Sequence, residues 1–188
     1  FAGRSLLGKV RTALAPDAME AVTLGFASCI GAGFAIPTYV DPANIHPLKW
    51  KTIDRMGQLD LDVFIHLGDE LYLDEVFDAG GSYAMYVAAW AAGHGGGYRA
   101  LYPNQGAYFT WDDHEVENDY AGDQGENIDP GFLLRRAAAY QAFFEHMPVP
   151  LTMRPKANEM RIYDTLDYGE FARFYLVDNR QYRDPQVC

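Results

Sequence analysis

The sequence predicts a mixed α/β fold in which helices flank a sheet. Three short apolar runs, at residues 22–28, 61–67 and 107–111, have the length and composition of buried strands. Helical patterns separate these runs, and two further strand patterns close the chain. Strands that alternate with helices and are followed by a hairpin are typical of a layered α/β domain.

Each of the three apolar runs ends in residues that can carry chemistry. Cys29 follows the first run, the second continues into Gly68 and Asp69, and the third leads into residues 112–115, with the sequence DDHE. In such sheets, ligands gather beyond the carboxyl ends of the strands. The recurrence at three strand ends is therefore the strongest sign of a functional site.

Three segments between and after these strands are predicted to be helical. Residues 51–58 form a short helix, and residues 82–92 form a second one that ends at the glycine-rich break 93–97. Asp129 as N-cap and Pro130 as first helical residue open the clearest helix, which Pro148 ends. Its apolar stripe comprises Phe132, Leu133, Tyr140, Phe143, Phe144 and Met147.

Both ends of the chain carry strand patterns. Residues 160–163 and 168–177 are predicted to form a hairpin across a turn at 164–167, because the second segment alternates between apolar and polar residues. Residues 3–15 are basic and partly β-patterned, and a breaker region follows at 16–18. We interpret this segment as the last strand of a preceding unit, followed by a linker.

Composition restricts the partners. The 188 residues are enough for one domain with a hydrophobic core. Asp and Glu number 26 against 15 Lys and Arg, and the net charge of −11 argues against nucleic acids and anionic membranes. No apolar run approaches the roughly 20 residues that span a bilayer, and two cysteines cannot form a disulfide framework. The acidity either keeps the protein soluble or reflects carboxylates that bind cations.

The segment TWDDHEVEND, residues 110–119, concentrates carboxylates, one histidine and one amide after an apolar strand. Such a density of like charge is unfavourable unless cations or protons neutralise it, so a metal site is the favoured interpretation. Gly68 allows a tight turn that presents Asp69 at the edge of the sheet. An ordinary turn at Gly68 and a solvated acidic loop are the alternatives.

The order of four motifs resembles the PhoD-type alkaline phosphatases, the PhoD-like metallophosphatase family. The motifs are FASC, HLGDELY, TWDDHEVEND and YLVDNRQYR, and they extend over nearly the whole chain. The resemblance implies a metallophosphatase-like, layered mixed sheet with flanking helices. Residues 19–188 would form the first half of this domain, so the fold would be incomplete and the fragment inactive alone. Residues 1–18 resemble the tail of a preceding small β domain plus a linker. Residues 77–105 fit the family poorly.

The resemblance also implies a ligand set for Fe(III) and Ca(II). Asp69 would bridge the two ions, and Cys29 and Tyr72 would complete a thiolate and phenolate set around the iron. Asp113 and the Asn118 amide would suit calcium, which prefers oxygen ligands. The remaining ligands of the family come from later in the domain, beyond the end of this chain.

Two further residues receive roles. His114 would lie beside the metals and protonate the departing alkoxide. Arg180 is the candidate substrate-binding residue, through a phosphate contact, with a structural ion-pair cluster of Asp178, Arg180 and Arg183 as the alternative. Asp119 departs from the family, which usually has a second Asn there. His66 is expected to be a hydrogen-bonded core histidine.

The implied function is metal-dependent phosphoester hydrolysis, in which a two-metal site activates water. The expected partner is a small phosphoester, with no nucleic acid or membrane. The protein itself is expected to be monomeric and either secreted or periplasmic. A calcium-dependent, non-catalytic binding domain is one alternative, but it would not use Cys29 and Tyr72. A glycoside hydrolase with two carboxylates from Asp112, Asp113 and Glu115 is another, but it leaves HLGDELY unexplained.

Overall fold

The centre of the fold is a parallel sheet of three short strands. The computed structural model describes residues 7–9, 11–30, 51–76, 81–95 and 98–187. Strands β1 (Leu24–Ala27), β2 (Val63–His66) and β3 (Ala107–Phe109) lie in the order β1-β2-β3. Both neighbouring pairs are parallel, so all three carboxyl ends lie at one edge. Every residue of β2 is buried, as expected for a central parallel strand.

Five helices accompany the sheet in the described residues. They are α1 (Lys51–Met56), α2 (Leu73–Val76), α3 (Tyr83–Gly95), α4 (Tyr98–Leu101) and α5 (Phe132–His146), with a 3₁₀ turn at Leu151–Met153. The long helices α3 and α5 pack together, and the Trp90 ring meets Phe143 edge-on at 5.6 Å. The Trp111 ring stacks on Tyr140 at 4.3 Å, which joins α5 to the segment after β3.

A separate antiparallel hairpin, β4 (Asp164–Tyr168) and β5 (Ala172–Leu176), lies over the sheet. Val63 and Ile65 form a small core with Tyr168 and Leu176, whereas Phe64 belongs to the main core with the helices. Successive side chains of a strand point to opposite faces, so β2 separates these two cores. The described sheet is thus wholly parallel rather than mixed, because the hairpin packs on its face instead of extending its edge.

The predicted hairpin boundaries were wrong. Residues 160–163 form no strand, the predicted turn 164–167 lies within β4, and the reversal follows Tyr168 at Gly169. Gly169 has φ +67°, a conformation that favours glycine. Asp167 opposes Arg173 across the ladder and forms an ion pair with it, which suits a strand position.

Helix boundaries also differ from the prediction, and α1 ends at Met56 rather than at residue 58. Helix α5 begins at Phe132 instead of Pro130, although the Asp129 carboxylate still accepts the Gly131 N–H at 2.7 Å. Helix α3 continues through Gly93 to Gly95, and Gly93 packs closely against Leu71. A Cβ at Gly93 would lie 2.7 Å from a Leu71 methyl carbon, so the glycine is a packing residue. Residues 96 and 97 of the predicted break lie outside the described residues.

The described part of the N-terminal segment, residues 7–9 and 11–15, contains no strand, and residues 3–6 and 10 lie outside the described residues. This segment contacts the α/β unit. The Lys9 N–H donates to the Pro103 carbonyl, and the Arg11 side chain forms an ion pair with Asp62 at 2.7 Å. The division between residues 1–18 and 19–188 stays a prediction. Among the described helices, none has the length and apolar character needed to cross a bilayer.

Candidate metal centre

The carboxyl ends of the three parallel strands bring the predicted site residues together. Cys29 follows β1, Asp69 follows β2, and Asp113 with His114 follows β3. The loops after β1 and β2 are hydrogen-bonded to each other: the Cys29 N–H donates to the Gly68 carbonyl at 3.2 Å, and the Ile30 N–H donates to the Asp69 backbone carbonyl at the same distance. The site therefore lies where α/β sheets place their ligands.

Asp69 is the centre of this group and is only 4% exposed. Its Oδ2 lies 3.3 Å from the Cys29 Sγ and 3.5 Å from the Tyr72 hydroxyl. Its Oδ1 accepts a long hydrogen bond from the His114 N–H at 3.4 Å. One carboxylate thus contacts residues from all three strand ends.

A set of potential ligand atoms converges here. Asp69, Asp113 and His114 each contribute one potential ligand atom, and these three atoms lie within 4.8 Å of one another. Burial, followed by the negative charge of Asp112 and Asp113, raises the pKa of Asp69 above its usual value. A cation would relieve this unfavourable burial of charge. Carboxylate, thiol, phenol and imidazole groups are all established types of metal ligand, so the donor set fits a metal centre.

The backbone at these strand ends adopts uncommon conformations. Cys29 and Asp69 both have φ +53°, although neither is a glycine, and Gly68 has φ +100°. A Cβ at Gly68 would lie 2.3 Å from the Asp112 amide nitrogen. Positive φ at non-glycine residues is costly and concentrates at functional sites. Gly68 is therefore required for the loops after β2 and β3 to approach each other.

Glu115 joins the same two loops. Its carboxylate is 2% exposed and accepts the backbone N–H groups of Asp69 at 3.1 Å, Glu70 at 2.6 Å and Asp112 at 3.0 Å. Burial, followed by the nearby Asp69 charge, raises its pKa to about 8. Sequence analysis considered Glu115 only as a glycosidase acid. The signal that could have identified it was its place in TWDDHEV, directly after a buried strand.

Arg180 lies against the acidic segment. Its guanidinium is 9% exposed, pairs with Asp112 and Asp113, the latter at 2.9 Å, and lies 3.9 Å from Asp119. Arg180 therefore belongs to an ion-pair cluster, but the carboxylates of this cluster come from the segment after β3 and not from Asp178. Asp178 instead accepts the Arg180 backbone N–H at 2.9 Å and so caps the local turn. A phosphate contact by Arg180 stays a prediction.

His114 is held on several sides. Its Nδ1 lies 2.8 Å and 3.0 Å from the two carboxylate oxygens of Asp74, and its ring stacks on Tyr72 with centroids 4.0 Å apart. Burial alone would lower the pKa of His114, but Asp74, Asp113 and Asp69 together raise it to about 9. Asp74 also accepts the Asn118 N–H at 2.6 Å, so the contact of Asn118 is made by its backbone. Sequence analysis missed Asp74.

Behind the site lies a buried polar network. His66 is fully buried and hydrogen-bonded to the Tyr98 hydroxyl at 2.9 Å, which agrees with its predicted core role. Burial lowers the pKa of His66. Glu70 is 2% exposed and accepts a hydrogen bond from Tyr102. These groups support the Asp69 loop from the interior side.

The parallel sheet and its edge of carboxylate, imidazole, thiol and phenol groups define an α/β protein with a candidate metal centre. The chain belongs to the PhoD-like phosphatase family, whose model matches residues 26–188 and so includes every candidate site residue.

Two relatives support this assignment. The chain is 35% identical over 203 aligned positions to alkaline phosphatase D of Bacillus subtilis (strain 168), an alignment that covers 97% of this chain and 32% of that protein. A solved structure described as the structure of PhoD matches with a TM-score of 0.79 and 32% identity, and covers 94% of this chain and 35% of its own. The chain thus spans about a third of the length of both relatives.

Proposed function

We propose that this chain is the first part of the catalytic domain of a metal-dependent phosphoester hydrolase, an alkaline phosphatase or phosphodiesterase with a two-metal site. The convergence of Asp69, Asp113 and His114 within 4.8 Å, with Cys29 and Tyr72 against Asp69, is the observation that carries the proposal. Membership of the PhoD-like phosphatase family supports it. Because the chain spans about a third of its relatives, the activity is proposed for the whole protein.

The proposed cofactors are Fe(III) and Ca(II). Cys29, Tyr72 and Asp69 would hold the iron, because thiolate and phenolate donors suit a transition metal better than calcium. Asp69, Asp113 and Asn118 would hold calcium through oxygen atoms. When bound, such a pair of cations neutralises phosphoryl oxygens and lowers the pKa of water. The crowding of Asp69 among other carboxylates supports a cationic occupant.

Residues of this chain would hold the ligand-carrying loops in place and would donate the proton to the leaving group. Glu115 fixes the loops after β2 and β3 through three backbone amides, and Arg180 orients Asp112 and Asp113. His114 holds a proton beside the cluster, which it would give to the departing oxygen of the ester. The remaining ligands and the rest of the layered sheet would come from the second half of the domain.

The competing functions fit these contacts less well. A calcium-binding module has no use for the thiol and phenol groups that contact Asp69. A two-carboxylate glycosidase needs free acids, yet Glu115 accepts three amides while Asp112 and Asp113 pair with Arg180. A small phosphoester is therefore the proposed substrate. A monomeric protein that acts outside the cytoplasm is proposed from the family resemblance.

The test uses the complete protein. Purified enzyme is expected to hydrolyse p-nitrophenyl phosphate or bis-p-nitrophenyl phosphate at alkaline pH, to contain iron and calcium, and to lose activity on chelation. Restoring the metals should restore turnover. Undiminished turnover after exhaustive removal of metal, verified by elemental analysis, would contradict the mechanism.

A further inference from the structure

Two tyrosines reach the loop of Asp69 from the interior side. Tyr98 is the first residue of α4 and is fully buried, and Tyr102 follows the last residue of this helix. Their rings stack with centroids 4.9 Å apart and an interplanar angle of 12°. Both hydroxyl groups are directed to Glu70, the residue after Asp69. Tyr98 donates to the Glu70 backbone carbonyl at 3.3 Å, and Tyr102 donates to the Glu70 carboxylate at 2.5 Å.

We propose that Tyr98 and Tyr102 are positioning residues for Asp69: their hydroxyl groups hold loop 68–70 in the conformation that brings the Asp69 carboxylate to the other two strand ends. This inference rests on the proposed function, in which Asp69 bridges two cations. It adds two residues outside the proposed ligand set, and these residues act through the loop and not on the substrate.

A chain of hydrogen bonds through His66 connects Tyr98 to both sides of Asp69. The Gly68 N–H donates to the His66 Nδ1 at 3.3 Å, so this nitrogen is an acceptor and the ring hydrogen lies on Nε2. The His66 Nε2 lies 2.9 Å from the Tyr98 oxygen, which accepts that hydrogen. The Tyr98 O–H is then free to donate to the Glu70 carbonyl. The chain thus begins at residue 68 and ends at residue 70.

The loop needs this support because its backbone conformation is uncommon. Gly68 has φ +100° and Asp69 has φ +53°. A positive φ at a residue with a Cβ is costly and persists only where the surrounding structure holds it. Glu115 holds the loop by its amides, since it accepts the N–H groups of Asp69 and Glu70. The tyrosines add the carbonyl and the side chain of Glu70, so residue 70 is held at its amide, its carbonyl and its carboxylate.

Loss of a tyrosine hydroxyl would remove a partner from groups that water does not reach. His66 is fully buried and Glu70 is 2% exposed. Without the Tyr98 hydroxyl, the His66 Nε2–H and the Glu70 carbonyl would both lose a hydrogen bond, and an unpaired buried polar group is unfavourable. The loop could restore these bonds only by moving. Such a movement would displace the neighbouring Asp69 carboxylate from the other strand ends.

The experiment compares Tyr98→Phe and Tyr102→Phe with the unmodified complete protein. Phenylalanine keeps the stacked ring and removes only the hydroxyl group. We expect the affinity for iron and for calcium, measured by competition with chelators, to fall about 10- to 100-fold, as is typical when a group that orients a metal ligand is removed. Tyr102 is less buried than Tyr98, so its variant still tests the inference if Tyr98→Phe does not fold.

Tyr168→Phe is the matched control. Tyr168 is also buried and donates its hydroxyl to a backbone carbonyl, that of Asp62 at 3.1 Å, but it lies on the hairpin. We expect this variant to lose a comparable amount of thermal stability and to keep its metal affinity. An equal loss of metal affinity in the control, or unchanged affinity in both α4 tyrosine variants, would overturn the inference.

Hydrogen exchange of the metal-free complete protein separates this inference from the proposed function. The amides of Asp69 and Glu70 should exchange at least about tenfold faster in the two variants, because the loop opens more often. The amides of the hairpin should exchange at their former rates. If the unmodified protein bound no metal or hydrolysed no phosphoester, the proposed function would fail, while the exchange rates would still decide whether the tyrosines hold the loop. Unchanged exchange at these two amides would overturn the inference.

Discussion

Gly68→Ala should damage both the stability and the proposed metal centre, because Gly68 fills the space between the two loops that carry the proposed ligands. Its φ of +100° would strain any residue with a Cβ, at a cost of roughly 1–3 kcal/mol. The new Cβ would also lie 2.3 Å from the Asp112 nitrogen and 2.5 Å from the Trp111 carbonyl carbon. Both atoms belong to the backbone, so no side-chain rotation relieves the overlap.

Overpacking of this kind typically adds about 1–3 kcal/mol, so we expect the free energy of unfolding to fall by about 2–6 kcal/mol in total. The chain can relieve the overlap only by separating the loops, which moves Asp69 away from Asp113 and His114. Bound metal and turnover should therefore fall together with stability. Urea unfolding followed by tryptophan fluorescence, with elemental analysis of the purified variant, measures both effects.

Gly122→Ala separates the two causes. Gly122 also has a positive φ, +57°, but the nearest atom to a Cβ there would be the Arg183 carbonyl oxygen at 3.5 Å, an ordinary contact. We expect this control to lose only about 1–2 kcal/mol from the backbone conformation, with the metal content unchanged. If Gly68→Ala cost no more than Gly122→Ala and kept its metal, the proposed contact between the ligand loops would be refuted.

Three other predictions follow from the site and from helix α5. Asp69→Ala should retain less than about a tenth of the activity of the complete protein, about 1.4 kcal/mol in barrier height, because the proposed bridging carboxylate would serve both ions; a more active variant would argue against bridging. Tyr72→Phe should abolish the visible absorption expected of a ferric phenolate, and an unchanged spectrum of the iron-loaded protein would exclude Tyr72 as a ligand. Hydrogen bonds from Arg135 and from the Gly131 amide lower the pKa of Asp129 below its usual 3.8. The ionised Asp129 therefore stabilises the fold above pH 3.8, and this stabilisation is lost as the pH falls through the lower pKa of the folded state. Asp129→Asn should therefore unfold with a weaker dependence on acid than the unmodified protein, and parallel profiles of melting temperature against pH would contradict this.

Local sequence patterns were sufficient to predict the sheet and the site edge. The three apolar runs contain β1, β2 and β3, and the residues that follow each run meet at one edge. These features could be predicted because strand length, apolar composition and the residues after a strand are close together in sequence. The same holds for helix α5, whose start was displaced by only two residues.

The position of the hairpin turn depended on longer-range packing. The acidic segment 164–167 has the composition of a turn, but Leu166 and Tyr168 pack toward the small core with Val63 and Ile65. Burial of these apolar side chains favours a strand, and Gly169 then provides the reversal. Burial against a strand about 100 residues earlier in the chain cannot be inferred from the local pattern.

The roles within the acidic segment were decided by the tertiary structure. The local pattern does not distinguish Asp112, Asp113 and Glu115, and only the family resemblance singled out Asp113. The fold gives Glu115 three amides and gives Asp112 and Asp113 the guanidinium of Arg180. Asp74 and His114 likewise meet across 40 residues, and Arg180 and Asp113 across 67. The sequence by itself determined which residue types reach the edge of the sheet, because that depends on local strand patterns. Which carboxylate binds a metal, an amide or a histidine depends on distances and burial between remote segments, and those exist only in the folded chain.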